Sequence, residues 1–434
     1  MTADIPESKW VRCDSGWVYD QSEFISTIGS KWDLVCGESW KVEMINTFYM
    51  SGWLIGCIII GPISDRFGRK KTVLGCHFVR CIGCYLSLYS PLYELFAFGR
   101  VIMGITSPNV TLTLYVILSE ITSLEWRSTF GISWNLLGSV GGMLIPWIAY
   151  FVRDYFNLMA IYMWPLLLYF AIVLFLDESP RWLVSQGREE EAIKILNRIA
   201  KVNKVSEGLP EGSHFKEEQA KREVRITGTR TRGNYLDLFK TPNMRKRNLI
   251  VLFEWFTLSL IFYGLSLNTG RLPGSVYLNS FLMSAIEIPA NFTGMLLLRH
   301  LGRKWTTGGA TLMAGFSSLI CVPFLLDSNV ATAFSVLGKA GATCAFACIY
   351  VYTGELNPTN IRSIAFGTAS MCARMSGMAA PFVGGPLGDI WAGLPSLLFG
   401  IFGIVAGSLV LLLPETLGQT LPETVEEAEN FGKK

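Results

Sequence analysis

An all-α membrane protein built from two related helical halves is the fold class that three features of this sequence predict. Half of its 434 residues are hydrophobic and 16% are charged, whereas soluble domains carry about a quarter charged residues; the mean hydropathy is +0.38. Eleven apolar runs are long enough to cross a bilayer. Three charged signatures of the first half of the chain recur, in the same order, in the second.

The runs come first. A hydrocarbon core of roughly 30 Å takes roughly 20 apolar residues of helix. Runs of that kind lie at 44–62, 72–90, 92–119, 129–151, 158–176, 248–267, 274–298, 305–325, 330–353, 363–386 and 391–413. Gly and Pro inside them are tolerated, because neighbouring helices re-satisfy the backbone. The third and seventh runs exceed the minimum, which predicts tilt or kinking, and Pro289 weakens the middle of the seventh.

Basic residues set the orientation. The loops after odd-numbered runs carry Arg66, Arg69, Lys70, Lys71, Arg127, Arg299, Arg303, Lys304 and Arg362, against only Arg153 and Arg271 on the other side. The richer side is expected to face the cytoplasm. That places 414–434 inside as a tail and 1–43 outside as the remnant of an extracellular loop. Residues 1–43 show no basic segment followed by an apolar one, as a signal peptide would. The expectation is therefore that one further helix belongs before them, so that eleven of twelve helices are present.

The repeat defines the halves. DRFGRKK at 65–71 returns as RHLGRKW at 299–305, with Gly68 to Gly302 an offset of 234. SEITSLEWRSTFG at 119–131 returns as GELNPTNIRSIAFG at 354–367, where Glu120 to Glu355 and Arg127 to Arg362 are offsets of 235. DESPRWL at 177–183 returns in LPETLGQTLPET at 413–424, with Glu178 to Glu415 an offset of 237. All copies fall on one side of the membrane, as parallel halves require. The expected domains are 44–176, a polar stretch at 177–247, and 248–413. Within the polar stretch, Ala192, Ile193, Leu196 and Ile199 have helical spacing, and 205–233 is a charged, Gly-rich linker. Thr227, Thr229 and Thr231, among arginines, read as part of that solvated linker.

Charges repeated at helix ends point to a gate. Asp65, Arg66, Arg69, Glu120, Arg127 and Glu178 in the first half, and Arg303, Glu355, Arg362 and Glu415 in the second, can pair between neighbouring helices and hold one conformation closed.

Other functions are argued against. A net charge of +3 gives no broad attraction to nucleic acid. Neither GxxxxGK[ST] nor HExxH occurs, so no enzyme activity and no cofactor are expected. Cys57, Cys76, Cys81, Cys84, Cys321, Cys344, Cys348 and Cys372 lie in apolar runs as small fillers. Only Cys13 and Cys36 lie in a polar stretch where a disulfide is open to them. His77, Cys81 and Cys84 share one helical face, but packing outweighs a metal site there. The NVT at 109–111 and NFT at 291–293 lie inside runs and are expected to stay unmodified.

GRVIMGI at 99–105, DRFGRKK, DESPRWL and LPETLGQTLPET together resemble the shared pattern of sugar porters and organic ion transporters of the major facilitator superfamily. WVYDQSEFISTIGSKWDLVC at 17–36 and ASMCARMSGMAAPFVGG at 369–385 resemble the organic cation, carnitine and organic anion branch. The Gln pair of sugar porters is missing from LFEWFTLSLIFYG at 252–264. The resemblance implies a rocking transporter of small organic ions, multi-pass in the plasma membrane, with a cavity near mid-membrane. The spans here correspond to the family's second to twelfth helices. Its cavity positions fall on Tyr115, Trp134, Trp255, Tyr263, Glu287, Tyr350 and Arg374. The acid of cation and carnitine transporters falls on Glu287, and the Arg of carnitine and anion transporters on Arg374. Anion transporters place a Lys where Asn291 stands.

A charge at mid-bilayer costs about 2.5–3.5 kcal/mol on insertion scales and needs a partner or a role. Glu287 holding an ammonium and Arg374 a carboxylate, with Trp255 and Tyr263 adding cation–π attraction, would suit a zwitterion such as carnitine. The alternative is that the two charges pair with each other or with backbone. Arg100 and Lys339, at equivalent places in the halves, read as structural, and Glu254 as a second cation or proton site. The expected partners are a small organic ion and the lipid bilayer, with a coupling ion, Na+ or H+, left open. An organic anion exchanger, a sugar porter-like transporter and a non-transporting scaffold are the other readings.

Overall fold

A computed structural model describes residues 16–108, 112–122, 124–204, 234–325, 328–358, 361–422 and 424–432 of the chain, with the backbone alone at 119, 124–135 and 328. After a single helical turn at Ile28–Lys31, its helices are α1 (Trp40–Phe67), α2 (Arg69–Tyr89), α3 (Tyr93–Pro108), α4 (Leu114–Ile121), α5 (Leu124–Phe151), α6 (Tyr155–Leu174), α7 (Pro180–Ser185) and α8 (Glu189–Val202). After the linker come α9 (Pro242–Leu267), α10 (Val276–Ala285), α11 (Glu287–His300), α12 (Arg303–Cys321), α13 (Ser328–Leu356), α14 (Arg362–Gly384), α15 (Pro386–Ile390), α16 (Leu394–Val410) and α17 (Val425–Asn430).

Helix stands at each of the eleven predicted runs. Among the described residues, seven helices are long and apolar enough to cross a membrane by themselves. In the third run the described helix lies in α3 and α4, on either side of 109–111, and in the fourth the side chains are described from 136 on. α14 is rich in Gly, Ser and Ala and carries two arginines, and α16 has 17 residues.

The seventh run is interrupted at Ile286, three residues before Pro289. Pro289 has no N–H to give the Ala285 carbonyl, so α10 and α11 meet at Ile286. The ladder resumes on either side, with Ile286 N–H donating to Leu282 and Ala290 N–H to Ile286, at 3.0 and 3.1 Å.

Tight turns join α1 to α2 and α11 to α12. Gly68 and Gly302 adopt φ of 102° and 87°, a region open to Gly and strained for other residues. Within a half, helices approach through small residues, because lipid supplies no hydrophobic drive between them. A Cβ at Gly56 would stand 2.1 Å from the Ile105 carbonyl, and one at Gly104 would stand 2.1 Å from that of Tyr49, so α1 and α3 touch backbone to backbone. Gly315 of α12 meets α16 at Gly400 and Gly403 in the same way.

The halves meet along two seams, α1 on α14 and α5 on α10. Thr47 donates to the Met378 carbonyl at 3.0 Å, and Glu43 lies against Gly385. Trp147 packs on Phe281 and Tyr150 on Tyr277, with ring centroids 6.1 and 5.3 Å apart. These contacts occupy the end of the bundle away from the repeated motifs. At the motif end, among the described residues, no hydrogen bond or ion pair joins the two halves.

Candidate substrate site and charge networks

Each half carries the same network at the motif end. Glu178 accepts from the N–H groups of Arg69 and Lys70, at 2.9 and 3.1 Å. Glu415 accepts from those of Arg303 and Lys304, at 2.8 and 3.1 Å. Both carboxylates thereby cap a helix start, α2 and α12, where orphan N–H groups and the helix dipole favour negative charge. A Cβ at Gly68 or Gly302 would stand 2.5 Å from the respective carboxylate oxygen, so the glycine is required twice over.

The second carboxylate of each network pairs with the first arginine of the helix. Arg303 makes a two-pronged bond to Glu355, at 2.8 and 2.9 Å. Arg69 lies 3.0 Å from Asp65 and 3.8 Å from Glu120. The hydroxyl of Ser179 donates to Glu120, and that of Thr416 to Glu355 at 2.5 Å. Sequence reasoning missed Ser179 and Thr416, although each directly follows its half's capping glutamate.

Some expected gate residues stand elsewhere. Arg362 donates to the Asn357 carbonyl at 3.3 Å, and no carboxylate holds it among the described residues. Arg66 lies on the Phe67 ring, 5.5 Å from its centroid. Among the described residues, no hydrogen bond or ion pair joins the two networks. The side chains of Arg127 and Trp134, and all of Cys13 and Asn109, lie outside the described residues.

Near the middle of the bundle two charged groups separate. Arg374 of α14 stacks on Trp53 of α1, with its guanidinium carbon 4.2 Å from the ring centroid. It donates to the Tyr263 hydroxyl at 3.1 Å. Arg374 therefore sits on the seam between the halves in a largely aromatic setting.

Glu287 does not pair with Arg374. Its partner is Lys339 of α13, at 3.1 Å, and it accepts from Ser139 of α5 at 3.1 Å. Lys339 is 1% exposed and also donates to Ser266 and to the Phe262 carbonyl, at 2.7 and 3.2 Å. Lys339, read from the sequence as structural, is the counter-charge of Glu287. Arg100, its counterpart, stacks on Tyr49 with the guanidinium carbon 5.1 Å from the ring centroid.

Trp255 is corrected as a lining residue. It is 1% exposed, donates to Thr353 at 2.9 Å, and meets the Tyr350 ring at 4.5 Å between centroids. It supports Tyr350 from behind. Tyr350 itself is 47% exposed and Tyr115 is 41% exposed; they are repeat counterparts, again 235 positions apart. Trp53 escaped sequence reasoning because one aromatic in an apolar run looks like ordinary packing. His77 bonds the Leu166 carbonyl at 2.8 Å and lies between Tyr169 and Phe170, a packing role.

Two helical halves with repeated charge networks, and charged side chains between them near mid-bundle, define a major facilitator transporter and not an enzyme. The family model described as "Sugar (and other) transporter" matches residues 19–428. The organic cation transporter protein of Drosophila melanogaster is 35% identical over 438 residues, covering 100% of this chain and 80% of that protein. Solute carrier family 22 member 2 of Homo sapiens is 34% identical, covering 96% and 74%. The inward-open xylose transporter XylE from E. coli superimposes with a TM-score of 0.69 at 18% identity, covering 91% of this chain and 89% of that one. The human organic anion transporter MFSD10 does so at 0.58 and 15% identity, covering 85% and 83%. The chain belongs to the organic cation transporter family, solute carrier family 22, of the major facilitator superfamily.

Proposed function

We propose that this transporter carries small organic ions bearing a carboxylate, zwitterions of the carnitine type foremost, by alternating access across the plasma membrane. Residues 44–176 and 248–413 are the two moving bodies, with 177–247 as a cytoplasmic helix and linker. The observation that carries the substrate reading is Arg374, seated on Trp53 and bonded to Tyr263 at the seam. A guanidinium there offers a carboxylate a fork of donors. Tyr263, Tyr350 and Tyr115 present aromatic surface to the rest of the substrate.

Relatives are named organic cation transporters, yet the matched Glu287–Lys339 pair leaves Arg374 to set the sign of the site. A plain cation meets repulsion there. The same observation supports an organic anion exchanger as the second reading. Uptake of a cation, a zwitterion and an anion by one preparation decides among them: tetraethylammonium carried in preference to L-carnitine would overturn both.

Topology follows from the basic residues. The motif end faces the cytoplasm. A cysteine introduced in the 205–233 linker is expected to react with an impermeant thiol reagent only in opened cells, above the labelling of native cysteines. Labelling in sealed cells would invert the orientation.

The networks act as conformational locks. Glu355→Gln takes away the carboxylate paired with Arg303, and Glu120→Gln removes one of the two that face Arg69, leaving Asp65; neither touches substrate. Each is expected to reduce maximal uptake about fivefold while half-saturation stays within about twofold, as a shifted conformational equilibrium predicts. Wild-type turnover at normal surface expression in both variants would remove the locks from the mechanism.

A further inference from the structure

Glu254 is a fully buried carboxyl that the substrate site does not use. It lies on α9 at 0% exposure and faces Thr311 of α12, away from the seam that holds Arg374. Among the described residues its second oxygen, Oε2, has no hydrogen-bond partner, and neither do the hydroxyls of Thr257 and Thr307 on the same two helices. A carboxylate left like this in a membrane protein's interior is expensive.

The hydrogen count around Thr311 shows how the cost is avoided. Its hydroxyl lies 2.9 Å from the Thr307 carbonyl and also contacts Glu254 Oε1. One hydroxyl hydrogen faces two acceptors. Thr306, Thr353 and Thr368 each give theirs to the carbonyl four residues back. With Thr311 doing the same, a proton on Glu254 supplies the missing donor, and the run Glu254–Thr311–Thr307 is complete.

Among the described residues, no charged side chain is bonded to Glu254. α12 presents threonines to Glu254, and α16 contains no ionisable side chain. On α13, Lys339 is held by Glu287, while Cys344 and Cys348 face Gly294. Arg374 of α14 is turned to Trp53 and Tyr263. Glu429 of α17 binds the start of α9 at Asn243 and Met244, about 15 Å of helix rise away.

On the motif side of the site a pocket of about 310 Å³ lies among Lys246, Arg247, Ile250, Lys304, Leu412 and Leu413, and it ends one helical turn short of Glu254. Ile250 is one helical turn from Glu254, and Lys304 is one turn from Thr307. One carboxyl and one hydroxyl are too few ligands for a hard metal ion, which takes about six oxygens. A proton needs a single acceptor.

We propose that Glu254 is a proton-binding site of the transport cycle, loaded and emptied through the α9–α12–α16 pocket and not through the substrate cleft. This rests on the transporter reading above and names H+ as the coupled ion. Two arms test it on the full chain.

The first arm needs no substrate. Infrared difference spectra of the purified protein should show a protonated-carboxyl C=O band that titrates between about pH 5 and pH 9 and is missing in Glu254→Gln. Thr307→Val should slow hydrogen–deuterium exchange of that band about tenfold without removing it. In the second arm, proteoliposomes holding a pH dye are given labelled L-carnitine. Wild-type uptake should acidify the lumen and change about tenfold between pH 6 and pH 8, and Glu254→Gln should flatten that profile to near unity. Identical spectra, a band that never titrates, or an unchanged proton flux in Glu254→Gln would each overturn the proposal. If wild type carries no L-carnitine, the substrate reading fails, and the infrared arm alone decides for or against Glu254.

Discussion

Glu287→Gln is expected to lower stability by about 3–5 kcal/mol, the usual effect of stranding a buried charge. The larger burden falls on Lys339, which is 1% exposed. Its remaining partners, the Ser266 hydroxyl and the Phe262 carbonyl, are neutral and cannot balance an ammonium in a low-dielectric interior. Glu287 is less enclosed, with its side chain 20% exposed, so the reverse change, Lys339→Gln, should destabilise less. It should also leave a bare carboxylate at mid-bundle and raise uptake of tetraethylammonium relative to L-carnitine. The double variant Glu287→Gln/Lys339→Gln removes both charges and should recover most of the loss. The measurement is thermal unfolding of the purified variants beside their surface expression. A Glu287→Gln protein as stable as wild type, or a double variant no better than the single, would show that the pair is not what holds these two charges in the membrane.

The contrast between what the sequence disclosed and what it did not is physical. Helices were legible because a bilayer demands long apolar runs, and Pro289 announced the break at Ile286 because proline always removes a hydrogen bond. The two motif networks were legible as repeated charges at one set of helix ends. Their internal wiring was not: spacing says which residues share an end, and only packing says that Arg303 reaches Glu355 and that Arg362 turns to the Asn357 carbonyl. Glu287 and Arg374 were legible as costly charges. Their partners were not, because helical spacing gives the face of a helix and never the neighbour opposite it. Spacing therefore does not join Lys339 to Glu287, and of the two aromatic positions it offers the cavity, Trp255 and Tyr350, only Tyr350 is exposed. Trp53 stayed hidden for the same reason, since nothing in an apolar run marks the one ring that meets an arginine from the other half.

Arg374→Ala is expected to raise the half-saturating concentration of L-carnitine roughly a hundredfold, while tetraethylammonium uptake is retained or improved. A carboxylate entering the cleft exchanges water for fixed groups, and without a counter-charge that exchange costs several kcal/mol; about 2.8 kcal/mol corresponds to a hundredfold in affinity. Arg374→Lys should fall between, because a lysine keeps the charge but loses the planar fork and the flat stack on Trp53. Trp53→Ala should then weaken carnitine uptake in the Arg374 background and matter much less once Arg374 is gone, since the ring acts by holding the guanidinium. A double-variant cycle over Trp53 and Arg374 measures that coupling. The competing explanation is that Arg374 only fastens α14 to α1 across the seam. In that case cation, zwitterion and anion uptake would decline together in Arg374→Ala, with turnover changing more than half-saturation. Uptake of the three probes by the Arg374 and Trp53 variants separates the two explanations, and a uniform decline would leave Arg374 as a hinge contact with no part in choosing substrate.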